Sequence, residues 1–270
     1  MDADSIIRFK ELSFEYASKK IINNLSFNIP KGKVVAIMGG SGVGKTTLLK
    51  IISGLIPSTA NQVYVFDKDL ALIGQSKKNE LRKQIGLLFQ FGALFTDLSC
   101  FENVAFPLRE HANLSPSLLK TTVMLKLECV GLRGAAHLMP SEISGGMARR
   151  VALARAIALG PKLILYDEPF SGLDPISLGV TAQLIRKLND ALGSTSVLVT
   201  HDVVESFEIA DHVYLLAPSE NGAVLIGSGT PEEISKNKDP YIQQFINGQQ
   251  IGPVKFHYPA EQRKKFFLSG

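Results

Sequence analysis

The segment Gly39–Thr46 constrains the fold of this 270-residue chain more than any other part of its sequence. It reads GGSGVGKT, which fits the pattern G-x-x-x-x-G-K-[ST], and it follows the continuous apolar run Val34–Met38. Such a run is typical of a strand that is buried on both faces, as in a parallel sheet. A helix is predicted from Lys45 to Ser53, because Gly54 is suited to end it. A strand, a glycine-rich loop and a helix in this order predict an α/β core that binds phosphate.

The residues of this phosphate loop have separate predicted roles. The glycines allow the backbone to approach a phosphate closely, with its N–H groups pointing inward. Lys45 is predicted to reach the β- and γ-phosphates of a nucleotide, and the Thr46 hydroxyl is predicted to bind Mg²⁺. The predicted nucleotide-binding residues of this part of the chain are Gly39, Gly40, Ser41, Gly42, Val43, Gly44, Lys45, Thr46 and Thr47.

Much of the remaining chain alternates between predicted strands and helices. Residues 6–38, 62–66 and 85–89 are predicted to contain strands, and residues 231–248 are predicted to be helical. The alternation is clearest in the order Leu163–Tyr166, Ser177–Leu192, Ser196–Thr200, Val203–Ala210 and Val213–Leu216. Because strands that alternate with helices form parallel sheets covered on both faces, the fold class is predicted to be α/β.

The middle of the chain, from about residue 91 to residue 155, has little strand character and is predicted to be a helical insert. Ser115-Pro116 is typical of a helix start. The face that this helix is predicted to bury recurs at helical spacing and consists of Leu118, Thr122, Leu125, Cys129 and Leu132. A second, alanine-rich helix is predicted from Ala148 to Ala158.

The predicted parallel strands end in residues that suit phosphate chemistry. Asp167 suits Mg²⁺, directly or through water, and Glu168 suits polarisation of an attacking water. Gln90 can bind Mg²⁺ or that water without adding charge, and His201 can contact the γ-phosphate and orient the water. Ligands bind at the carboxyl ends of strands in open α/β sheets. We therefore predict a catalytic set of Lys45, Gln90, Glu168 and His201, and a metal-binding set of Thr46, Gln90 and Asp167.

These motifs, with Ile143–Met147 between them, resemble the ATP-binding-cassette (ABC) family over about residues 5–235. We call Ile143–Met147 the signature segment. The resemblance implies an ABC-type nucleotide-binding domain, with a RecA-like phosphate-loop core, an antiparallel β subdomain and a helical subdomain at about residues 91–155. It implies ATP and Mg²⁺ as cofactors. It also implies a head-to-tail homodimer with two ATP molecules between the subunits, in which the signature segment of one copy faces the phosphate loop of the other.

Further site residues follow from this resemblance. Ser144, Gly145 and Gly146 begin a predicted helix, so their hydroxyl and N–H groups can form a second anion site, across the interface. Asp174 would connect the two sites. Tyr16 matches the aromatic residue that stacks on adenine in this family, and a core tyrosine of the first sheet is the alternative. Met147 stands where the family usually has glutamine, a change that we expect to leave the enzyme active.

A narrower resemblance points to the ATPases of the bacterial Mla (maintenance of lipid asymmetry) systems. It rests on Leu88–Leu98, Glu102–His111, Ser144–Arg150 and the C-terminal Gly252–Val254 and Tyr258–Ala260. It implies an ATPase that energises an inner-membrane complex moving phospholipids between inner and outer membrane. The implied partners are a membrane permease, a periplasmic MCE-domain lipid-binding subunit and a small cytosolic STAS-domain protein. The ATPase domain would then span residues 1–248, and residues 249–270 would form a tail that contacts a partner or the other protomer.

Composition limits the alternatives. The sequence has no run of about 18 apolar residues that would cross a membrane, and its acidic start is unlike a secretory signal, so we expect the chain to stay in the cytosol. The resemblance to the Mla ATPases implies that it is peripheral, at the cytoplasmic face of the inner membrane. The net charge of +4 is too small to argue for nucleic acid. Cys100 and Cys129 are interpreted as ordinary buried thiols. Two alternatives remain: an ABC ATPase for another cargo, such as an amino acid or a lipoprotein, and a non-transport ABC ATPase acting on DNA or ribosomes.

Overall fold

A computed structural model describes residues 4–17 and 19–253 of the chain. These residues form a mixed ten-stranded sheet with the strand order β5-β4-β1-β2-β10-β9-β3-β8-β7-β6. The strands are β1 Ser5–Tyr16, β2 Lys19–Pro30, β3 Val34–Gly39, β4 Val63–Val65, β5 Lys68–Asp69, β6 Ile85–Leu88, β7 Leu163–Asp167, β8 Thr195–Thr200, β9 His212–Ser219 and β10 Gly222–Gly229.

The helices of the described residues are distributed along the whole chain. They are α1 Lys45–Ile52, α2 Gln75–Arg82, α3 Cys100–His111, α4 Pro116–Cys129, α5 Gly145–Ala156, α6 Pro175–Leu192, α7 Val203–Ile209, α8 Pro231–Lys236 and α9 Pro240–Ile246. Two short 3-10 turns, Arg133–Ala135 and Pro140–Glu142, connect α4 to α5. Within residues 4–17 and 19–253, no helix is both long enough and apolar enough to cross a membrane.

The α/β core is built around β3, which is buried along its whole length. It pairs in parallel with β8 on one side and with β9 on the other, and β7 and β6 continue the parallel sheet beyond β8. Val35 and Ile37 belong to the core cluster that contains α1, whereas Val34, Ala36 and Met38 belong to clusters with the helices of the opposite face. The predicted α/β fold class is confirmed, including helices on both faces of the parallel strands.

The N-terminal part of the sheet is antiparallel. The sequence alternates in two separate runs, Ile6–Phe9 and Leu12–Tyr16, but both belong to one strand, β1, which pairs with β2 through an irregular register. Two non-glycine residues at these irregularities, Glu11 and Asn24, have a φ of 50°. Pairing with the short β4 extends this subdomain on its other side. The irregular register interrupts the two-residue alternation, and this explains why the sequence pattern divides the strand.

Residues 91–155 contain α3, α4 and most of α5 and no strand, but the predicted buried face of α4 is wrong. Leu118 and Leu125 are more than half exposed, whereas Val123 and Leu127 are fully buried. The buried pair belongs to the core cluster that also contains residues of α3 and α5. Because α4 carries apolar residues on several faces, helical spacing alone could not identify the side that meets its neighbours.

Two smaller predictions also need correction. Cys100 is buried, but Cys129, at the end of α4, is exposed. The helical stretch predicted over residues 231–248 is divided into α8 and α9, because Pro240 cannot continue a helix from the preceding residues and begins a new one. The predicted tail, residues 249–270, is described only as far as Pro253, so residues 254–270, including the basic and aromatic end, lie outside the described residues.

Candidate active site

A cavity of about 900 Å³ brings together most of the residues predicted to bind or cleave a nucleotide. Its lining includes the phosphate loop from Gly40 onward, together with Gln90, Glu168 and His201. These three polar residues follow β6, β7 and β8, which are neighbours in the sheet. The parallel topology therefore explains why residues far apart in the sequence meet at one edge.

The phosphate loop connects β3 to α1 through backbone conformations that favour glycine. At Gly44 the φ angle is 103°, and a Cβ atom would lie only 2.9 Å from Cγ2 of Ile21. A side chain at this position is therefore excluded both by strain and by space. Gly44 is also the N-cap of α1 and makes no side-chain cap. The first N–H groups of α1 are thus available to an anion at the positive end of the helix.

Lys45 lies beneath this loop with a side chain that is only 5% exposed. Its Nζ atom donates to the carbonyl oxygens of Gly39 and Gly40, over 2.8 and 3.1 Å, and lies 3.2 Å from Oε1 of Glu168. A buried ammonium group requires such partners, because an unpaired charge away from water is very unfavourable. The same positive charge is suited to the phosphate oxygens that the loop would enclose.

Thr46 and Asp167 bring two oxygen ligands together beside the loop. The Thr46 hydroxyl donates a 2.9 Å hydrogen bond to Oδ1 of Asp167, which ends β7 and is 8% exposed. Burial raises the pKa of the Asp167 carboxyl, the hydrogen bond from Thr46 lowers it, and the charge of Glu168 raises it further. Oxygen ligands of this kind fit Mg²⁺, a hard cation that is usually bound by one or two carboxylates plus phosphate oxygens and water.

Glu168 occupies the centre of the polar cluster. Its Oε2 atom lies 2.8 Å from Nδ1 of His201 and accepts a 3.3 Å hydrogen bond from the His201 backbone N–H. Its φ angle is 46°, a left-handed conformation that costs a non-glycine residue about 1–2 kcal/mol. Strained backbone of this kind is concentrated at functional sites. Ligand atoms of Glu168, His201 and Asp202 also lie within 4.8 Å of one another, but the two oxygens of Glu168 already contact Lys45 and His201, so a metal ion at this position would have to displace one of these contacts.

Gln90 lies just beyond the end of β6 and faces the same cavity. Its Nε2 atom is 3.5 Å from Oγ of Ser171, in the loop that follows Glu168. The amide oxygen therefore remains a neutral ligand that can join the Thr46 and Asp167 oxygens around a cation.

The signature segment is not part of this cavity. Ser144 is the N-cap of α5, and its Oγ atom accepts a 3.2 Å hydrogen bond from the backbone N–H of Met147. Both Ser144 and Gly145 are exposed. Asp174 caps α6 in the same way, with hydrogen bonds from Ser177 that keep the pKa of its carboxyl below the ordinary value. The structure thus presents an exposed helix N-terminus, away from the phosphate loop of the same chain.

Tyr16 does not line the cavity either. It ends β1, is 44% exposed, and its ring packs edge-on against Phe14 with 4.9 Å between the ring centroids. The alternative of a core tyrosine is therefore wrong, and its stacking on adenine stays a prediction.

The cavity also has a wall that we did not predict from the sequence. Tyr241, Gln244 and Phe245 of α9 line it, as do Gly248, Gln249 and Gln250, which follow that helix. Tyr241 and Phe245 are four positions apart, so they lie on one face of the helix. This four-residue spacing was the only sequence signal for the wall. It could not show whether that face of the helix lines a cavity or packs in the core.

Comparisons with known proteins identify the family of the chain. A family model described as "ABC transporter" matches residues 22–171. The Haemophilus influenzae protein named "Intermembrane phospholipid transport system ATP-binding protein MlaF" is 50% identical to this chain over 97% of both sequences. The Escherichia coli K12 protein of the same name is also 50% identical, over 98% of this chain and 97% of its own length. A Mycobacterium leprae protein named "Probable ribonucleotide transport ATP-binding protein mkl" is 37% identical over 92% of this chain and 70% of its own length.

Solved structures show the same architecture. The cbiO1 protein of Clostridium perfringens, part of the ABC transporter complex cbiONQ, has a TM-score of 0.79 at 27% identity, covering 91% of this chain and 96% of its own. A dimeric ATP-binding cassette in a post-hydrolysis state, bound to ADP and Pi, has a TM-score of 0.72 at 30% identity, covering 83% of this chain and 98% of its own. The resemblance to the ABC family and to the Mla ATPases is confirmed. The chain belongs to the ABC transporter family, and it is an ATP-binding cassette with ATPase activity.

Proposed function

We propose that this ATPase energises an inner-membrane complex that moves phospholipids between the inner and outer membranes. The observation that carries the proposal is the 50% identity to two phospholipid-transport ATPases, which extends over 97% or more of this chain. A cassette that served another cargo would be expected to share the nucleotide site but to diverge elsewhere. The lower identity and partial coverage of the relative named for ribonucleotide transport favour the lipid cargo.

The proposed catalytic role of each residue follows from its contacts. Lys45 and the N–H groups of the phosphate loop bind the β- and γ-phosphates of ATP. Glu168 accepts a proton from the attacking water, and His201, bonded to the same carboxylate, orients that water toward the γ-phosphate. Thr46, Gln90 and Asp167 would bind Mg²⁺, which neutralises charge on the phosphates. Because Lys45 contacts Glu168, the lysine must exchange this contact for phosphate oxygens before the carboxylate can act as a base.

The proposed working unit is a head-to-tail dimer of this chain. Ser144, Gly145 and Gly146 form an exposed helix N-terminus that suits an anion, yet they do not line the cavity of their own chain. In a head-to-tail pair, this end of α5 would meet the γ-phosphate bound by the other copy, with Asp174 between the two sites. Tyr16 would stack on the adenine. Binding of ATP would then stabilise the dimer, and hydrolysis would weaken it.

The helical subdomain offers a surface for the membrane permease. A groove of about 320 Å³ beside the end of β6 is lined by Phe89, Phe95 and Phe106, each at least 40% exposed. Phe91, next to Gln90, is 84% exposed. Aromatic side chains grouped on a protein surface are typical of a protein interface. A permease segment seated here would lie next to Gln90, so its movement would reach the ATP site. The periplasmic MCE-domain subunit and the cytosolic STAS-domain protein are proposed from the resemblance alone, as is the peripheral location at the inner membrane.

Affinity purification of the tagged chain from membranes tests the proposed complex. We expect the permease, an MCE-domain subunit and a STAS-domain protein to co-purify, and the reconstituted complex to transfer lipid only with ATP. Recovery of a periplasmic amino-acid-binding subunit or of ribosomes would contradict the proposal. The complex with Lys45→Ala is the matched control, because its partners should remain bound while transfer stops.

A truncation that tests the proposed role of residues 249–270 must leave the lining of the cavity intact. Gln249 and Gln250 line it, so a chain cut after Gly248 would lose part of the nucleotide site as well as the tail. Ending the chain after Pro253 removes only residues that lie outside the described structure. If the tail serves assembly, this shorter chain should bind ATP normally and should co-purify less of its partners. Normal assembly would show that the tail is not needed for it.

A further inference from the structure

Arg149 lies one helical turn after the start of α5 and carries a guanidinium group that is almost completely buried, with 7% of the residue exposed. Its Nη1 atom donates to the carbonyl oxygen of Pro169 over 2.6 Å and to that of Glu168 over 3.2 Å. Its Nη2 atom donates to the carbonyl oxygen of Gln90. One side chain thus contacts the backbone of two residues that line the active-site cavity, Gln90 and Glu168.

This burial is energetically demanding. The ion pairs among residues 4–17 and 19–253 do not include Arg149. Burial lowers the pKa of its guanidinium, and the charge of Asp202 raises it, but an arginine remains charged in proteins. Since a buried charge is unfavourable without partners, the three carbonyl groups are the compensation that allows it to remain here.

The backbone that Arg149 contacts is the strained part of the site. Glu168 has a φ of 46°, and its N–H donates a 2.9 Å hydrogen bond to the carbonyl oxygen of Val199. The peptide units around Glu168 are therefore fixed from two sides, by β8 on one side and by Arg149 on the other. We propose that Arg149 is a positioning residue for hydrolysis, which fixes the backbone of Glu168 and Gln90 so that the Glu168 carboxylate points at the attacking water.

The proposal rests on the role of Glu168 proposed above and adds a dependence on the signature helix. Arg149 and Ser144 belong to the same helix. A displacement of α5 would therefore move the guanidinium and release or shift the Glu168 carbonyl. In this way the position of the signature segment would determine whether Glu168 of the same chain can accept a proton from the attacking water.

Arg155 provides a matched control within α5. It is half-buried, burial also lowers the pKa of its guanidinium, and it also donates to backbone carbonyls, those of Ala93 at 2.8 Å and Gly92 at 2.6 Å. Both of its backbone partners lie in the loop after β6. Within the part of the chain that the structure describes, its hydrogen bonds go to Gly92, Ala93 and Asn103 and not to Glu168 or Pro169, so its loss should weaken packing without moving the base.

The test compares Arg149→Met, Arg149→Lys, Arg155→Met and Glu168→Gln in the purified full chain without the permease, because Arg155 also lines the groove proposed for that partner. It measures kcat and KM for MgATP and the unfolding temperature. A misplacement of about 1 Å can cost about a hundredfold in rate. We therefore expect Arg149→Met to lower kcat by at least about tenfold, with KM changed by less than about twofold. Arg149→Lys should restore part of kcat, and Arg155→Met should lower the unfolding temperature similarly while retaining most of kcat.

A double variant separates positioning from a general loss of structure. If Arg149 acts through the carboxylate of Glu168, then Arg149→Met added to Glu168→Gln should change the residual single-turnover rate by less than about twofold, because residues that act as a unit are not additive. A further tenfold loss in the double variant, or equal kcat values for Arg149→Met and Arg155→Met, would overturn the inference. If Arg149→Met does not fold, a wild-type kcat in Arg149→Lys together with equal losses in Arg149→Gln and Arg155→Gln would overturn it. Full turnover in Glu168→Gln would instead refute the proposed role of Glu168.

Discussion

The Nζ atom of Lys45 lies 3.2 Å from Oε1 of Glu168, so the predicted phosphate-binding cation and the predicted base form a buried ion pair. The other carboxylate oxygen of Glu168 contacts His201. This arrangement keeps the base occupied by protein groups until Lys45 finds a stronger partner. A phosphate group carries more charge than one carboxylate, so ATP itself can release the base.

Replacement of Lys45 tests this relationship. Lys45→Ala removes the cation that the β- and γ-phosphates require, so we expect ATP hydrolysis to fall below about 1% of wild type. Steady-state phosphate release by the assembled complex measures the effect. Lys50→Ala, on the exposed side of the same helix, is the control and should retain activity. Normal turnover in Lys45→Ala would contradict the assignment of the site.

Replacement of Glu168 separates binding from hydrolysis. Glu168→Gln retains the size of the side chain but removes its basicity, so ATP should bind while hydrolysis slows by about a hundredfold or more. The variant protein should then accumulate as closed dimers with ATP bound, and light scattering can detect these dimers. Glu208→Gln, an exposed acid on α7, should behave as wild type. A Glu168→Gln protein that remains monomeric in ATP would count against the head-to-tail dimer.

The signature segment can be tested without damage to the fold. A Cβ atom at Gly145 would meet no atom within 4 Å, and the φ angle there is not in the left-handed region. Gly145→Ala should therefore fold normally, because alanine also has a higher helix propensity than glycine. Gly145→Asp should fold as well, but its negative charge would repel the phosphate of the other copy. We expect ATP-dependent dimers to form in Gly145→Ala and to be lost in Gly145→Asp, as measured by size-exclusion chromatography.

The contact between β6 and α5 gives a stability prediction. A Cβ atom at Gly86 would lie 2.5 Å from the carbonyl oxygen of Ala156, where neither backbone can yield without strain. We expect Gly86→Ala to reduce the free energy of unfolding by about 1–3 kcal/mol. Thermal denaturation of the purified chain measures this change. Gly134→Ala is the matched control, because nothing lies within 4 Å of its added carbon, and an equal loss there would contradict the argument.

The core of the site could be predicted from the sequence because its signals are local. The phosphate loop, Asp167 and Glu168 each follow an apolar run that ends at the same edge of a parallel sheet, so strand direction alone predicts their proximity. The buried face of α4 could not be predicted, because it depends on where α3 and α5 pack. Strand β10 was missed because glycines interrupt its apolar pattern, and its position is fixed by pairing with β9.

The wall formed by α9 and the contacts of Arg149 were missed for a related reason. Both depend on side chains that reach segments distant in the sequence, and no spacing rule predicts which segment they reach. The family resemblance covered the ATP site but did not extend to either feature. Arg149 belongs to the sequence pattern Ser144–Arg150, but only the three-dimensional fold brings it to the backbone of Glu168.

The central position of β3 also has a kinetic consequence. This strand leads into the phosphate loop and is paired along both edges, with β8 and β9. We expect its amide protons to exchange with solvent mainly by unfolding of the whole domain, whereas the exposed end of α5 can fray locally. We therefore expect the strand that carries the phosphate loop to open more slowly than the exposed end of α5 that faces the other copy.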